Sequence, residues 1–370
     1  MTTFDSRESL RKHVASGHVD LAPAPEVFDR TPPALTGPDP WPRLEGMLLG
    51  LMIGDSLGNT SESQLPHRRF DAHGEIRNYL PHHRAGGREV GLPSDDTQLA
   101  MWTLESMLEQ GGVDSDALAK KFCSSRIFGI GSAVREFVGN YKDEGLPWHE
   151  AGARSAGNGA LMRIAPVLLP HVRNPTPALW SDAAIAATLT HNDRASTGSC
   201  VAFIAVLWDL LGMDEPPAPE WWLERFIEVL KPLEGGDTHY RSRIPGDTYD
   251  GPLWAFLEQR LPDALARDLD ARTAGNSWYS GAYLLETVPT VLYILMRHGH
   301  DAEEAIVRAV NDARDNDTVA AIVGAAVGAL HGTDAIPIRW REGLLGRTRE
   351  QDDGHAFELM RQAQARWVAR

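Results

Sequence analysis

Glycine recurs at every fourth position in two distant segments of this 370-residue chain. Gly46, Gly50, Gly54 and Gly58 form one stripe; Gly324, Gly328 and Gly332 form the other, with Ala320 and Ala321 beside it. Four-residue spacing puts each set on one face of a helix. Glycine inside a helix costs about 1 kcal/mol relative to alanine, so a row of it calls for a compensating contact. Lacking Cβ atoms, two such helices can bring their backbones together. The pattern predicts that they cross at short distance in the centre of the molecule. The alternative is that each stripe packs on some other element.

Most of the remaining chain also reads as helix. Leu44, Met47, Leu48, Leu51 and Met52 recur at helical spacing. The same period predicts helices over 97–109, 116–128, 181–190, 196–211, 220–230, 286–296, 302–311 and 318–330, and an amphipathic one over 355–368. Few stretches alternate with period two, and no βαβ rhythm is present. The expected class is therefore all-α. Residues 231–280, with Gly235-Gly236 and the aromatic residues Tyr240, Tyr249, Trp254, Trp278 and Tyr279, read as a loop-rich insertion.

Residues 1–42 differ from the rest. A short helix is expected from Ser6 to Val14. Pro23, Pro25, Pro32, Pro33, Pro38, Pro40 and Pro42 follow, at a density that opposes both helix and sheet. This stretch reads as an arm ahead of a domain at 43–370, ordered only if it docks on something. A disordered tail fits the composition equally well.

Hydrophobic residues make up 42% of the chain, enough for a substantial core, and the formal net charge is -15. An acidic surface argues against non-specific nucleic-acid binding, which needs basic patches. Cys123 and Cys200 are the only cysteines, so neither a disulfide framework nor a thiolate zinc site is suggested. The N-terminus lacks the apolar core of a signal peptide. The apolar run 318–330 is shorter than the roughly 20 residues needed to span a bilayer. The expectation is a cytoplasmic protein with no membrane or nucleic-acid partner.

Two acidic clusters carry the chemistry: Ser94-Asp95-Asp96-Thr97 and Asp315-Asn316-Asp317-Thr318. Each precedes a predicted helix. Ser, Asp and Thr are good N-caps, but one residue per helix suffices for that. Adjacent carboxylates repel unless a cation neutralises them, and an oxygen-only set suits a hard divalent cation. An EF-hand beginning at Asp312 would need glycine and glutamate where Asp317 and Val323 stand. Asp315-x-Asp317-x-Val319 also fits the motif of haloacid-dehalogenase phosphatases. That motif follows a buried strand and precedes most of a Rossmann-like domain. Here it follows a charged segment and lies near the C-terminus.

The order of motifs is more specific than any one of them. Gly54-Asp55-Ser56-Leu57-Gly58 with Glu62 comes first, then Ser94-Asp95-Asp96-Thr97-Gln98. Gly157-Asn158-Gly159-Ala160-Leu161-Met162-Arg163 and Thr190-His191 follow, and Asp315-Asn316-Asp317-Thr318 closes the series. Together, from about Gly46 to Gly332, they resemble the ADP-ribosylglycohydrolase family. The resemblance implies a compact single-domain orthogonal helical bundle with a dinuclear Mg2+ or Mn2+ cleft. By position, Ser94, Asp95, Asp96, Asp315, Asp317 and Thr318 would hold the metals. Serine at position 94 is a mild departure, since the family often has threonine there. Asp96 is the first candidate for general acid or base, and Glu62 for a gate near the metals. The loop at Asn158, Gly159 and Ala160 would lie against the ADP-ribose diphosphate. His191 would stand near the cleft, and Tyr283 is a candidate adenosine contact. Read alone, the glycine loop is a turn, His191 a helix C-cap, Glu62 an exposed loop residue and Tyr283 a core residue.

The implied activity is hydrolysis of the glycosidic bond joining ADP-ribose to a protein side chain, with arginine favoured and a serine or other O-linked acceptor left open. The substrate partner would be an ADP-ribosylated protein. A second reading makes the chain an immunity protein that binds an ADP-ribosyltransferase toxin through its arm, with or without hydrolase activity. A third is a family member that kept the fold and lost catalysis.

Overall fold

The computed structural model describes residues 5–35, 37, 39–350 and 352–369. The two glycine stripes meet. The first lies on helix Trp41–Gly58 and the second on helix Asn316–His331. They run antiparallel, with Gly46 opposite Gly328, Gly50 opposite Gly324, Gly54 opposite Ala320 and Gly58 opposite Asp317. A Cβ added to Gly46, Gly50, Gly54, Gly58, Gly324 or Gly328 would come under 3.0 Å from the partner backbone. Gly332 has a different job. It ends the second helix at φ 77°, a conformation that favours glycine.

This pair is the centre of the molecule. Residues Asn316–Leu330 are all buried, and the first helix is buried on almost every side, as expected for core helices that are apolar all round. Helices Asp95–Gln110, Arg194–Leu210, Leu284–His298 and Ala302–Asp312 pack around it. Ala178–Thr188 and Pro219–Glu234 form an outer layer on Arg194–Leu210. The described residues contain only two short antiparallel ladders, Pro81–His82 with Arg88–Glu89 and Tyr240–Arg241 with Asp250–Gly251. The molecule is all-α, and no described helix is long and apolar enough to cross a membrane.

Two sequence expectations are corrected. Residues 231–280 hold helices Leu253–Ala266 and Ala271–Trp278. Leu253, Phe256, Leu257, Leu261 and Ala264 bury one face of the former, a helical period masked by the aromatic residues and prolines around it. The helix expected over 116–128 stops at Phe122. Beyond it, Gln98 holds the loop by donating to the Arg126 carbonyl at 3.1 Å and accepting from the Phe128 amide at 2.8 Å.

The N-terminal segment is docked on its own chain. Asp5 caps helix Ser6–Ala15 by accepting from the Arg7 and Glu8 amides. That helix packs against Ala178–Thr188. Leu10, Val19, Leu21, Val27 and Phe28 are buried. The indoles of Trp180 and Trp208 donate to the Arg30 and Pro33 carbonyls at 2.7 and 2.9 Å. Pro38 lies outside the described residues.

Candidate metal centre and its cleft

The glycine crossing ends where the carboxylates begin. Gly58 meets the backbone of Asp317 directly, and Asp55 lies one turn earlier on the same helix. Helix Asp95–Gln110 brings Asp96 to the same place. One carboxylate oxygen each from Asp55, Asp96 and Asp317 lie within 4.8 Å of one another, and so do oxygens of Glu62, Asp315 and Asp317. Asp317 belongs to both groups, so two neighbouring cation positions would share it. The structure thus brings both acidic clusters and Glu62 together.

Capping does not explain the clusters. Ser94 and Asp315 stand at the N-cap positions of their helices, yet neither side chain makes a cap hydrogen bond. Ser94 Oγ instead donates to Asp55 Oδ1 at 2.6 Å, which leaves its oxygen lone pairs available. Asp315 Oδ2 accepts from Asn158 Nδ2 at 2.6 Å. The backbone ahead of Asp315 is pinned where the Arg314 and Asp315 amides donate to the Ser280 carbonyl, each at 3.1 Å.

The charge is not balanced by protein cations. Among the described residues no Lys or Arg forms an ion pair with Asp55, Glu62, Asp95, Asp96, Asp315 or Asp317. Arg69, fully buried nearby, spends its guanidinium on backbone carbonyls. It donates to Val310 and Ala313 at 2.9 Å and to Gln64 at 2.9 Å. Burial first, then neighbouring carboxylates, push Asp96 and Asp317 well above the usual carboxylate range. Asp95 is pushed up to about 7 by burial and then by Asp55. Burial raises Asp315, and Glu62 is raised by desolvation of its carboxyl, then by Asp315 and Asp55. Asp96 Oδ1 is buried without a hydrogen-bond partner, an arrangement that calls for a ligand. Unpaired oxygen donors and excess negative charge fit a hard divalent cation.

Asp55 belongs to one of these carboxylate groups, and sequence reading left it out of the candidate site. It is fully buried and accepts from the Ser94 amide and hydroxyl, from the Thr97 amide at 3.2 Å and hydroxyl at 2.6 Å, and from Asn59 Nδ2 at 3.1 Å. These bonds fasten the Ser94–Thr97 turn to the first glycine helix. The available signal was a single aspartate inside an apolar helix.

A cleft of about 200 Å³ opens over the centre. The carboxylates Glu62, Asp95, Asp96, Asp315 and Asp317 line it together with Thr318, Asn158, Gly159 and His191. Glu62 is the exposed member; Thr318 is buried. Gly159 leaves room for His191, because a Cβ there would come under 3.0 Å from the imidazole. Arg163 Nη2 donates to Thr190 Oγ1 at 2.7 Å, and Thr190 Oγ1 lies 2.8 Å from His191 Nδ1. Burial, then Arg163, lowers His191 to about 3, so the ring is neutral at physiological pH.

Ala160 and Tyr283 do not line the cleft. Ala160 is fully buried behind the loop. Tyr283 bridges to Gly157 through its backbone, and its ring sits under the Arg243 guanidinium, 4.8 Å from ring centroid to carbon.

Known proteins share this architecture. A solved structure described as an ADP-ribosylglycohydrolase-related protein complex superposes with a TM-score of 0.62 at 26% identity, over 89% of this chain and 98% of its own. ADP-ribosylarginine hydrolase Tri1 of Pseudomonas putida is 26% identical over 81% of this chain and 73% of its own length. ADP-ribosyl-[dinitrogen reductase] glycohydrolase of Rhodospirillum rubrum is 26% identical over 83% and 91%. The sequence profile of ADP-ribosylglycohydrolases matches residues 37–367, and with that extent the chain belongs to the ADP-ribosylglycohydrolase family.

Proposed function

We propose that this chain is a cation-dependent hydrolase that removes ADP-ribose from protein side chains, with arginine the favoured acceptor. The observation that carries the reading is the shared position of Asp317 in two carboxylate groups at the floor of one cleft. Ser94, Asp95, Asp96, Asp315, Asp317 and Thr318 would hold two Mg2+ or Mn2+ ions, with Asp55 holding Ser94 in place. Such ions supply positive charge to ribose hydroxyls and to a bound water.

The chain's own groups do the rest. Asp96 Oδ1, with no protein partner, is the acceptor for a proton leaving the attacking water. Asn158 donates both to Asp315 Oδ2 and to Thr287 Oγ1 at 3.0 Å, so the phosphate-side loop and the metal side are held in register. The backbone around Gly159 offers N–H groups to a diphosphate. His191 presents a neutral ring to the cleft and so adds no charge there. Glu62 stands exposed among the carboxylates of the cleft and gates it. Tyr283, outside the cleft lining and covered by Arg243, has no part in this reading.

Arginine is favoured because one relative carries the name ADP-ribosylarginine hydrolase. No observation favours the toxin-binding alternative, since the apolar residues of the N-terminal segment are already buried against this chain. The free thiols of Cys123 and Cys200 suit a reducing cytoplasm.

Incubation with arginine- and serine-ADP-ribosylated proteins, with and without chelator, tests the proposal. Release from the arginine substrate that stops on chelation is expected. Release from serine alone moves the acceptor, and release from neither refutes the hydrolase reading.

A further inference from the structure

A second group of ligand-type side chains lies outside the cleft. His13 is on helix Ser6–Ala15, His18 in the loop after it, and His149 on the short helix Trp148–Ala151. One ring nitrogen from each lies within 4.8 Å of the other two. The His13 and His149 rings stack with centroids 3.8 Å apart, and His18 lies 5.1 Å from His149.

Packing alone leaves this cluster incomplete. Nδ1 of His13 and Nδ1 of His149 are buried and have no hydrogen-bond partner. Burial, then His149, lowers His13 to about 4, and burial, then His18, lowers His149. Neutral imidazoles carry a free lone pair, the form that binds metal. The surroundings also orient that lone pair. Ser16 Oγ lies 3.2 Å from the His13 carbonyl oxygen and 2.9 Å from His18 Nδ1. With its proton on the carbonyl, Ser16 accepts from Nδ1–H and leaves the His18 lone pair on Nε2. Glu150 stands 3.6 Å from that Nε2 and 3.5 Å from His149 Nε2. That carboxylate is placed to close a site formed with these imidazoles.

We propose that His13, His18 and His149 bind one divalent transition metal of the zinc class, closed by Glu150, and that this ion staples the N-terminal segment to helix Trp148–Ala151. Zinc–nitrogen bonds of about 2.0–2.1 Å require ligand nitrogens about 3.4 Å apart, so the rings draw in on binding. His18, with 44% of its side chain exposed, is free to move. An imidazole set prefers zinc-class ions to magnesium, which separates it from the oxygen-only centre in the cleft. The staple reaches the cleft through Asn192. Its Nδ2 donates to the His18 carbonyl at 2.6 Å and its Oδ1 accepts from the Asp20 amide at 2.8 Å. Asn192 is the neighbour of His191, and Asp20 also pairs with Arg194 at 2.9 Å.

The test is titration of the full chain with Co2+, and then Zn2+, in excess Mg2+, in an Asp317→Asn background to silence the carboxylate centre. The expected result is one Co2+ per chain with the strong visible absorption of four-coordinate nitrogen-rich cobalt. His18→Ala and His149→Gln should each weaken binding at least tenfold, and Zn2+ should raise the unfolding midpoint of the parent but not of His18→Ala. His18 is exposed, so that variant keeps the fold. Absence of the cobalt absorption, or affinity unchanged in both histidine variants, overturns the proposal. Neither result depends on hydrolase activity.

Discussion

At Gly50 and Gly324 two helices touch backbone to backbone, with no side chain between them. Farther along the same pair, at Asp55 and Asp317, carboxylates crowd together, and among the described residues no Lys or Arg forms an ion pair with them. The first contact admits nothing more, and the second lacks something. The difference shows how an unfavourable cluster is held. Its carboxylates hang from a crossing too close-packed to splay apart, so burial first and repulsion second raise their pKa values instead of opening the fold.

Adding bulk to the crossing should have the largest effect. Gly50→Ala or Gly324→Ala puts a methyl into the opposing backbone, and each should cost about 3 kcal/mol or more. Denaturant unfolding measures this; a cost below about 1 kcal/mol would mean the crossing can slide and the comparison fails. Asp317→Asn and Asp96→Asn should act with opposite signs on the two properties. Hydrolase activity should fall by at least about a hundredfold. The metal-stripped variants should nonetheless unfold at higher temperature than metal-stripped wild type at pH 8, because a buried like charge is gone.

Without metal, the pH dependence follows from the same crowding. The folded state holds protons on these carboxyls more tightly than the unfolded chain does, so unfolding releases protons and stability falls as pH rises. For Asp95 the window runs from the usual 3.8 up to about 7. Thermal melts of stripped protein should drop across that range, and saturating Mg2+ should remove the slope. A flat profile in stripped protein would show the cluster to be less crowded than it is drawn here.

Gly159→Ala should press on His191 and lower kcat/KM about tenfold while changing stability by less than about 1 kcal/mol. Ser94→Thr, which keeps the hydroxyl donated to Asp55, should change activity by about twofold or less. Ser94→Ala removes that donor and should cost about 1 kcal/mol of stability.

The crossing was legible because period-four glycine has a direct steric meaning, and the clusters because paired aspartates exceed what capping needs. Asp55 was not, since its partners Ser94 and Thr97 lie 39 and 42 residues away and nothing in its own helix names them. Helix Leu253–Ala266 was hidden by Pro262 and by aromatic residues that resemble loop chemistry. The histidine cluster joins residues more than 130 positions apart, a distance that local pattern cannot bridge.

The buried Arg69 fixes the backbone on one flank of Glu62, the proposed gate. Its guanidinium ties the Gln64 carbonyl to the Val310 and Ala313 carbonyls just ahead of Asp315. On the other flank, Asn316 Nδ2 lies 3.2 Å from Ser61 Oγ. Glu62 is therefore tethered at both ends within a few residues. With Glu62 as the proposed gate, admission to the cleft would be a short swing of one carboxylate arm, its backbone anchored just ahead of the turn that carries Asp315 and Asp317.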